Sequence, residues 1–207
     1  MDGVLVDGEP LHFRAVNELL AREGREITLE QYKPYMGTTA GWAEFIPAFG
    51  LTGELAEYRA DYNELILRQY LEHAVPLPGA IAAVEGLRRA RIPVGLASSS
   101  KRAWVEACLS RIGLGGAFQS LATGDEVKAG KPAPEIYELA AGRLGVNAGS
   151  CLAFEDAPAG ILSAKAAGMT CWAVRTEYTR GLTLPDPDRE FDSLVDIDLR
   201  EIVGVPE

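Results

Sequence analysis

The chain has 207 residues, 47% of them hydrophobic and 24% charged, a composition that fits one large globular domain or a core carrying an insertion. A formal net charge of −10 excludes the basic footprint of a nucleic-acid binder, but it is compatible with an anionic substrate where a bound cation inverts the local field. No apolar run approaches the roughly 20 residues of a membrane span, and three scattered cysteines without CxxC spacing read as reduced core thiols, so a cytoplasmic protein without a membrane partner is expected.

The chain opens Met1-Asp2-Gly3-Val4-Leu5-Val6-Asp7-Gly8-Glu9-Pro10. The acidic start gives no sign of a signal peptide. A carboxylate followed by Gly and a short apolar run suits a backbone that turns sharply beside a site, although an Asp-Gly pair alone is a turn in most proteins. Helical spacing follows in Leu11, Ala15, Val16, Leu19 and Leu20, with Gly24 as a stop. Further helices are predicted over about 39–49 and about 54–70, the latter with Leu55, Tyr58, Tyr62, Leu65 and Ile66 on one face. Nothing from Leu11 to Ala74 reads as a strand. The period changes at Pro76-Leu77-Pro78-Gly79, which places a helical insertion over 8–78 and a core of 1–7 with 79–207.

In the core, short apolar runs alternate with amphipathic helices. Strands are predicted at Pro93–Ala97, Phe118–Ala122, Cys151–Phe154 and Thr170–Val174. Helices are expected around Ile81, Val84 and Leu87, around Trp104, Cys108 and Ile112 with Ser100 as cap, around Ile136, Tyr137, Ala140 and Leu144, and over about 158–167. The tail from Arg175 reads as a loop with one short helix. This alternation implies an α/β fold with a Rossmann-like parallel sheet covered on both faces.

Ligands of such sheets sit at the carboxyl ends of the strands. Ser98, with Ser99 and Ser100, follows one strand, Glu155-Asp156 follows another, and Lys131 lies in a loop stiffened by Pro132 and Pro134. A cation, hydroxyl and amide donors, and carboxylates for Mg²⁺ are the parts of a phosphate-hydrolysing site. Taken singly, each has a plainer reading. Ser98 to Ser100 could cap a helix, Lys131 could be a solvated surface lysine, Glu155-Asp156 could be a helix N-terminal charge pair, and His12 and His73 could be surface helix residues. Their joint placement favours a site.

Four segments in order then resemble the motifs of the haloacid dehalogenase superfamily, in the helical-cap branch that includes beta-phosphoglucomutase and sugar-phosphate phosphatases. They are Asp2-Gly3-Val4-Leu5-Val6-Asp7 with Glu9-Pro10-Leu11-His12, Ala97-Ser98-Ser99-Ser100-Lys101, Gly130-Lys131-Pro132-Ala133-Pro134, and Phe154-Glu155-Asp156 with Ala159-Gly160. The resemblance implies that Asp2 is the general acid/base and lends a backbone carbonyl to Mg²⁺. It further implies that Ser98 and Lys131 hold the phosphoryl oxygens, that Asp156 with Glu155 anchors the metal, and that His12 and Ser99 contact substrate. The helical insertion would act as a lid. The family's first motif is Asp-x-Asp with its first Asp as nucleophile, so the nucleophile and the central strand leading into it are expected just ahead of Met1. The implied function is a Mg²⁺-dependent phosphatase of a small phosphorylated metabolite, working through an aspartyl phosphate. A phosphosugar mutase is the alternative, disfavoured because Gly37-Thr38-Thr39-Ala40-Gly41 offers no Arg for a second phosphate. A non-catalytic phosphate-binding protein is the other.

Overall fold

The computed structural model describes residues 1–35 and 41–203. The chain divides into two compact units, Gly8–Ala74 and Met1–Asp7 with Val75–Glu207. The Gly37 to Ala40 segment, including the start of the helix predicted near Thr39, lies outside the described residues.

In the helical unit, α1 (Glu9–Ala21) carries Pro10 in its first turn, where the missing N–H has no helical partner to lose. It buries Leu11, Ala15, Val16, Leu19 and Leu20. The amide of Asn17 then pins the following loop, exchanging hydrogen bonds of 3.2 and 2.9 Å with the backbone of Ile27. A capping box between Thr28 and Gln31 starts the one-turn α2 (Leu29–Tyr32). Helices α3 (Gly41–Ala48) and α4 (Leu55–His73) complete the unit, and α4 packs along α1. Among the described residues the unit has no strand.

The second unit runs α5 (Ala80–Arg89), β1 (Gly95–Ser98), α6 (Arg102–Arg111), β2 (Ser120–Thr123), α7 (Glu135–Leu144), β3 (Leu152–Glu155), α8 (Pro158–Ala166), β4 (Thr170–Val174), β5 (Arg189–Phe191) and α9 (Arg200–Val203). Every strand pairing is parallel, with Ala97 opposite Ala122, Phe154 opposite Trp172 and Val174 opposite Phe191. The strands form two sheets, β1-β2 and β3-β4-β5, so β1 and β3 each have one strand neighbour among the described residues. Ile136 and Ala140 of α7 and Ile161 and Ala164 of α8 bury against Ala122, Ala153, Cys171 and Ala173. Each of the two isoleucines contributes about 1.5–3 kcal/mol of burial.

β1 begins two residues later than predicted. Pro93 has no N–H, and the Val94 N–H is taken by the Gln119 side chain at 2.6 Å, so the ladder starts at Gly95. β5 was not expected. It is a three-residue edge strand carrying Arg189 and Glu190, too short and too charged to show an apolar pattern.

Candidate active site

The site is built on turns at the carboxyl ends of β1 and β3 and on the turn that follows Asp2. Immediately after Asp2 the backbone reverses. The Gly3 N–H donates to Val6 O and the Leu5 N–H to Met1 O, both at 2.8 Å, while the Leu77 N–H donates to Leu5 O at the same distance. Gly3 takes φ +73°, which only glycine adopts without strain, and a methyl there would fall on the Asp156 carboxylate. One residue therefore satisfies two demands. It makes the turn and lets Asp156 lie directly against the backbone beside Asp2.

Ser98 ends β1 with 3% exposure, and its Oγ accepts the Ser100 N–H at 3.2 Å. The Ser100 hydroxyl donates to Asp2 Oδ2 at 3.0 Å, tying this turn to the first one. Ser100 was expected to cap α6. Instead Lys101 holds the cap position and its side chain makes no capping hydrogen bond, while Asp125 Oδ1, from the loop after β2, accepts the Arg102 N–H at 3.1 Å. Gly124 in the same loop leaves room for the Ser99 carbonyl, and its N–H donates to Ser100 O at 3.0 Å. The Ser99 side chain is exposed.

The Lys131 loop is fixed at both ends. Glu135 accepts the N–H groups of Lys128 and Ala129, at 3.0 and 2.9 Å, and Ser163 of α8 donates to Ala133 O at 2.6 Å. Lys131 is thereby delivered to the ends of both sheets. Its Nζ donates to Ala97 O of β1 at 3.3 Å and ion-pairs with Glu155 Oε1 of β3. The same Glu155 oxygen accepts the Tyr137 hydroxyl, and the Tyr137 ring lies 4.9 Å from Lys131 Nζ. Gly160 of α8 leaves the space that the Glu155 carboxylate fills.

The two adjacent carboxylates are shifted in opposite directions. Burial works to raise the pKa of Glu155, but the charge and hydrogen bond of Lys131 and the Tyr137 hydroxyl hold it below its ordinary value. Tyr137 is pushed well above its ordinary value by burial and by Glu155. Asp156 is pushed up to about 7, first by burial and then by the charge of Glu155, with Asp2 adding to the repulsion and Lys131 opposing it. Asp156 is thus a half-buried carboxyl set among like charges, a position that favours a cation.

Among the described residues no group of three or more His, Cys, Asp or Glu side chains is arranged to hold a metal ion. Glu155 is engaged by Lys131 and Tyr137, so the candidate carboxylates are Asp156 and Asp2, whose Oδ2 also accepts the Ser100 hydroxyl. Mg²⁺ is usually held through one or two carboxylates, with water and substrate phosphate completing its shell, so this oxygen set fits Mg²⁺ better than a metal needing an all-protein cage.

Asp2, Ser98, Lys131, Glu155 and Asp156 therefore gather within one unit, linked through Ser100 and Tyr137. His12 belongs to the helical unit, where its Nδ1 meets the Tyr62 hydroxyl and its Nε2 the Tyr70 hydroxyl at 3.0 Å. Sequence reasoning placed Tyr137 only on a helix face, and it placed Ser100 in the turn after β1 and at a cap but gave it no bond to Asp2. The available signal was a phenol on the core-facing side of the helix that follows the Lys131 loop.

Burial pushes the thiols of Cys108 and Cys171 up to about 12, and all three cysteines are free. Among the described residues no helix is long and apolar enough to cross a membrane.

Residues 1–168 match the model of the haloacid dehalogenase-like hydrolase family. The phosphorylated carbohydrates phosphatase of Thermotoga maritima is 33% identical over 82% of this chain and 79% of its own length. The fructose-1-phosphate phosphatase YqaB of Escherichia coli is 31% identical over 84% of this chain and 93% of its own. Among solved structures, CbbY from Rhodobacter sphaeroides in complex with phosphate superimposes with a TM-score of 0.83 at 30% identity, covering 95% of this chain and 92% of that one. The family match spans the turn at Asp2, the end of β1, the Lys131 loop and the end of β3, and on this ground the chain belongs to the haloacid dehalogenase-like hydrolases.

Proposed function

We propose that this protein is a Mg²⁺-dependent phosphatase that hydrolyses a small phosphorylated metabolite, a sugar monophosphate, in the cytoplasm. The observation that carries the reading is the convergence of Asp2, Ser98, Lys131 and Asp156, a proton carrier, a hydroxyl, a cation and a half-buried carboxyl, on the ends of β1 and β3. The phosphatases among its relatives and their sugar-phosphate names support the substrate class. Three free cysteines support a reducing compartment.

Ser98 and Lys131 bind and orient the phosphoryl oxygens. The nucleophile in this reading is an Asp directly ahead of Met1, whose carboxylate oxygen forms the bond to phosphorus as the bond to the leaving oxygen breaks. Asp2 gives its proton to that leaving oxygen. The resulting carboxylate then takes a proton from the water that attacks the aspartyl phosphate, which releases inorganic phosphate and restores Asp2. Mg²⁺, held by Asp156 and the Asp2 carbonyl, would offset charge on the phosphoryl oxygens.

The mutase alternative is favoured by the likeness to the beta-phosphoglucomutase of Clostridium difficile, at a TM-score of 0.79 and 25% identity. The test common to both is Asp2→Asn in a form of the chain with Asp ahead of Met1. Turnover should fall about 10²–10⁴-fold, the usual loss for a positioned acid/base, while inorganic phosphate still binds. Turnover at the parent rate would remove Asp2 from the chemistry.

A further inference from the structure

We propose that Tyr137 is a positioning residue of the phosphate site, its hydroxyl sharing the Glu155 carboxylate with Lys131 so that one Lys131 N–H is left for a phosphoryl oxygen. The inference rests on the reading of Lys131 as a phosphate ligand. A lysine ammonium has three donors and no acceptor. Here one goes to Glu155 Oε1 and one to Ala97 O, which leaves a single donor for an incoming anion. Glu155 attracts the ammonium strongly, since the two side chains are only 11% and 7% exposed and their attraction is weakly screened. Tyr137 moderates this pull in two ways. Its hydroxyl donates to the same Oε1 atom and takes up part of that charge, and its ring stands 4.9 Å from Nζ, within cation–π range.

The hydroxyl is the informative part. The Tyr137 ring packs in the core beside Ile136, Ala140 and Ala141, and a phenylalanine would serve that packing equally well. A buried O–H needs a partner, and this one is directed at the group that also holds Lys131. Supports of this kind, one step removed from the ligand, typically change affinity or activity about 10–100-fold when lost.

The test is calorimetric titration of inorganic phosphate, in MgCl₂ buffer, into the parent chain and Tyr137→Phe, with melting curves of both. The expected result is a Kd weakened roughly 10–100-fold. A purely structural hydroxyl would lower the melting temperature and leave the Kd within about threefold of the parent, and that result overturns the proposal. Because the variant could fold poorly, 3-fluorotyrosine placed at position 137 gives a second reading with the hydroxyl kept. Its ¹⁹F signal should move as phosphate is added, and a stationary signal overturns the proposal equally. A parent chain that binds no phosphate would instead overturn the assignment of Lys131, and this inference with it.

Discussion

Gly160→Ala sets two physical effects of opposite sign against each other. Position 160 lies within α8, where alanine is favoured over glycine by up to about 1 kcal/mol, so local propensity alone predicts a more stable protein. The added methyl, however, would overlap both oxygens and the carboxyl carbon of Glu155. That carboxylate cannot simply swing aside, because Lys131 and Tyr137 hold it and the Lys131 and Glu155 side chains are only 11% and 7% exposed. Breaking a buried ion pair costs about 3–5 kcal/mol. Less the propensity gain, the net loss is about 2–4 kcal/mol, or roughly 4–16 °C in melting temperature for a chain of this size. Gly142→Ala is the control, since it lies within α7 and its methyl would meet nothing within 4 Å. Thermal melts of the two variants beside the parent decide the matter. Gly142→Ala should hold or gain stability and Gly160→Ala should lose it. Equal gains in both would show that the Glu155 carboxylate does not occupy the space beside Gly160.

Two further outcomes follow from the electrostatics. Glu126 is held well below the ordinary carboxylate range, chiefly by its hydrogen bond to Arg143 and also by Thr123 and Arg102. Its pKa is depressed on folding, so its stabilisation is present above the unfolded value of about 4.3 and is lost as pH falls below it. Urea midpoints at pH 6 and pH 3 should therefore differ less in Glu126→Gln than in the parent, and an equal fall would contradict the network. Asp156→Asn should raise the Mg²⁺ concentration needed for half-maximal turnover far more than Asp7→Asn, because the half-buried Asp156 carboxylate lies against the turn beside Asp2 whereas Asp7 is exposed. Matching shifts in the two variants would move the metal away from Asp156.

Much of the site was legible because its residues stand at positions that local sequence defines. Ser98, Lys131 and Glu155-Asp156 each end a short apolar run or sit in a proline-bounded loop, and strand–helix alternation places such ends together. The bonds joining them were not legible. That Ser100 donates to Asp2 rather than capping α6 depends on a contact between residues 98 positions apart, with Asp125 freeing Ser100 from the capping role. The service of Tyr137 to Glu155 and Lys131 was hidden because a core tyrosine and a core phenylalanine give the same helical periodicity. Gly3 and Gly160 show the same limit. A glycine in sequence suggests a turn or a weak helix, but only packing reveals that each leaves room for a carboxylate.

The central claim, that these turns form a phosphomonoesterase site, is tested most directly by ³¹P NMR. A hexose monophosphate would be followed with Mg²⁺, without any bisphosphate activator, in the presence of the chain carrying Asp ahead of Met1. The ester signal should give way to inorganic phosphate, and adding EDTA at the start should prevent the change. A new ester signal growing in at constant total ester would make the protein a mutase, and an unchanged spectrum would contradict the phosphatase reading.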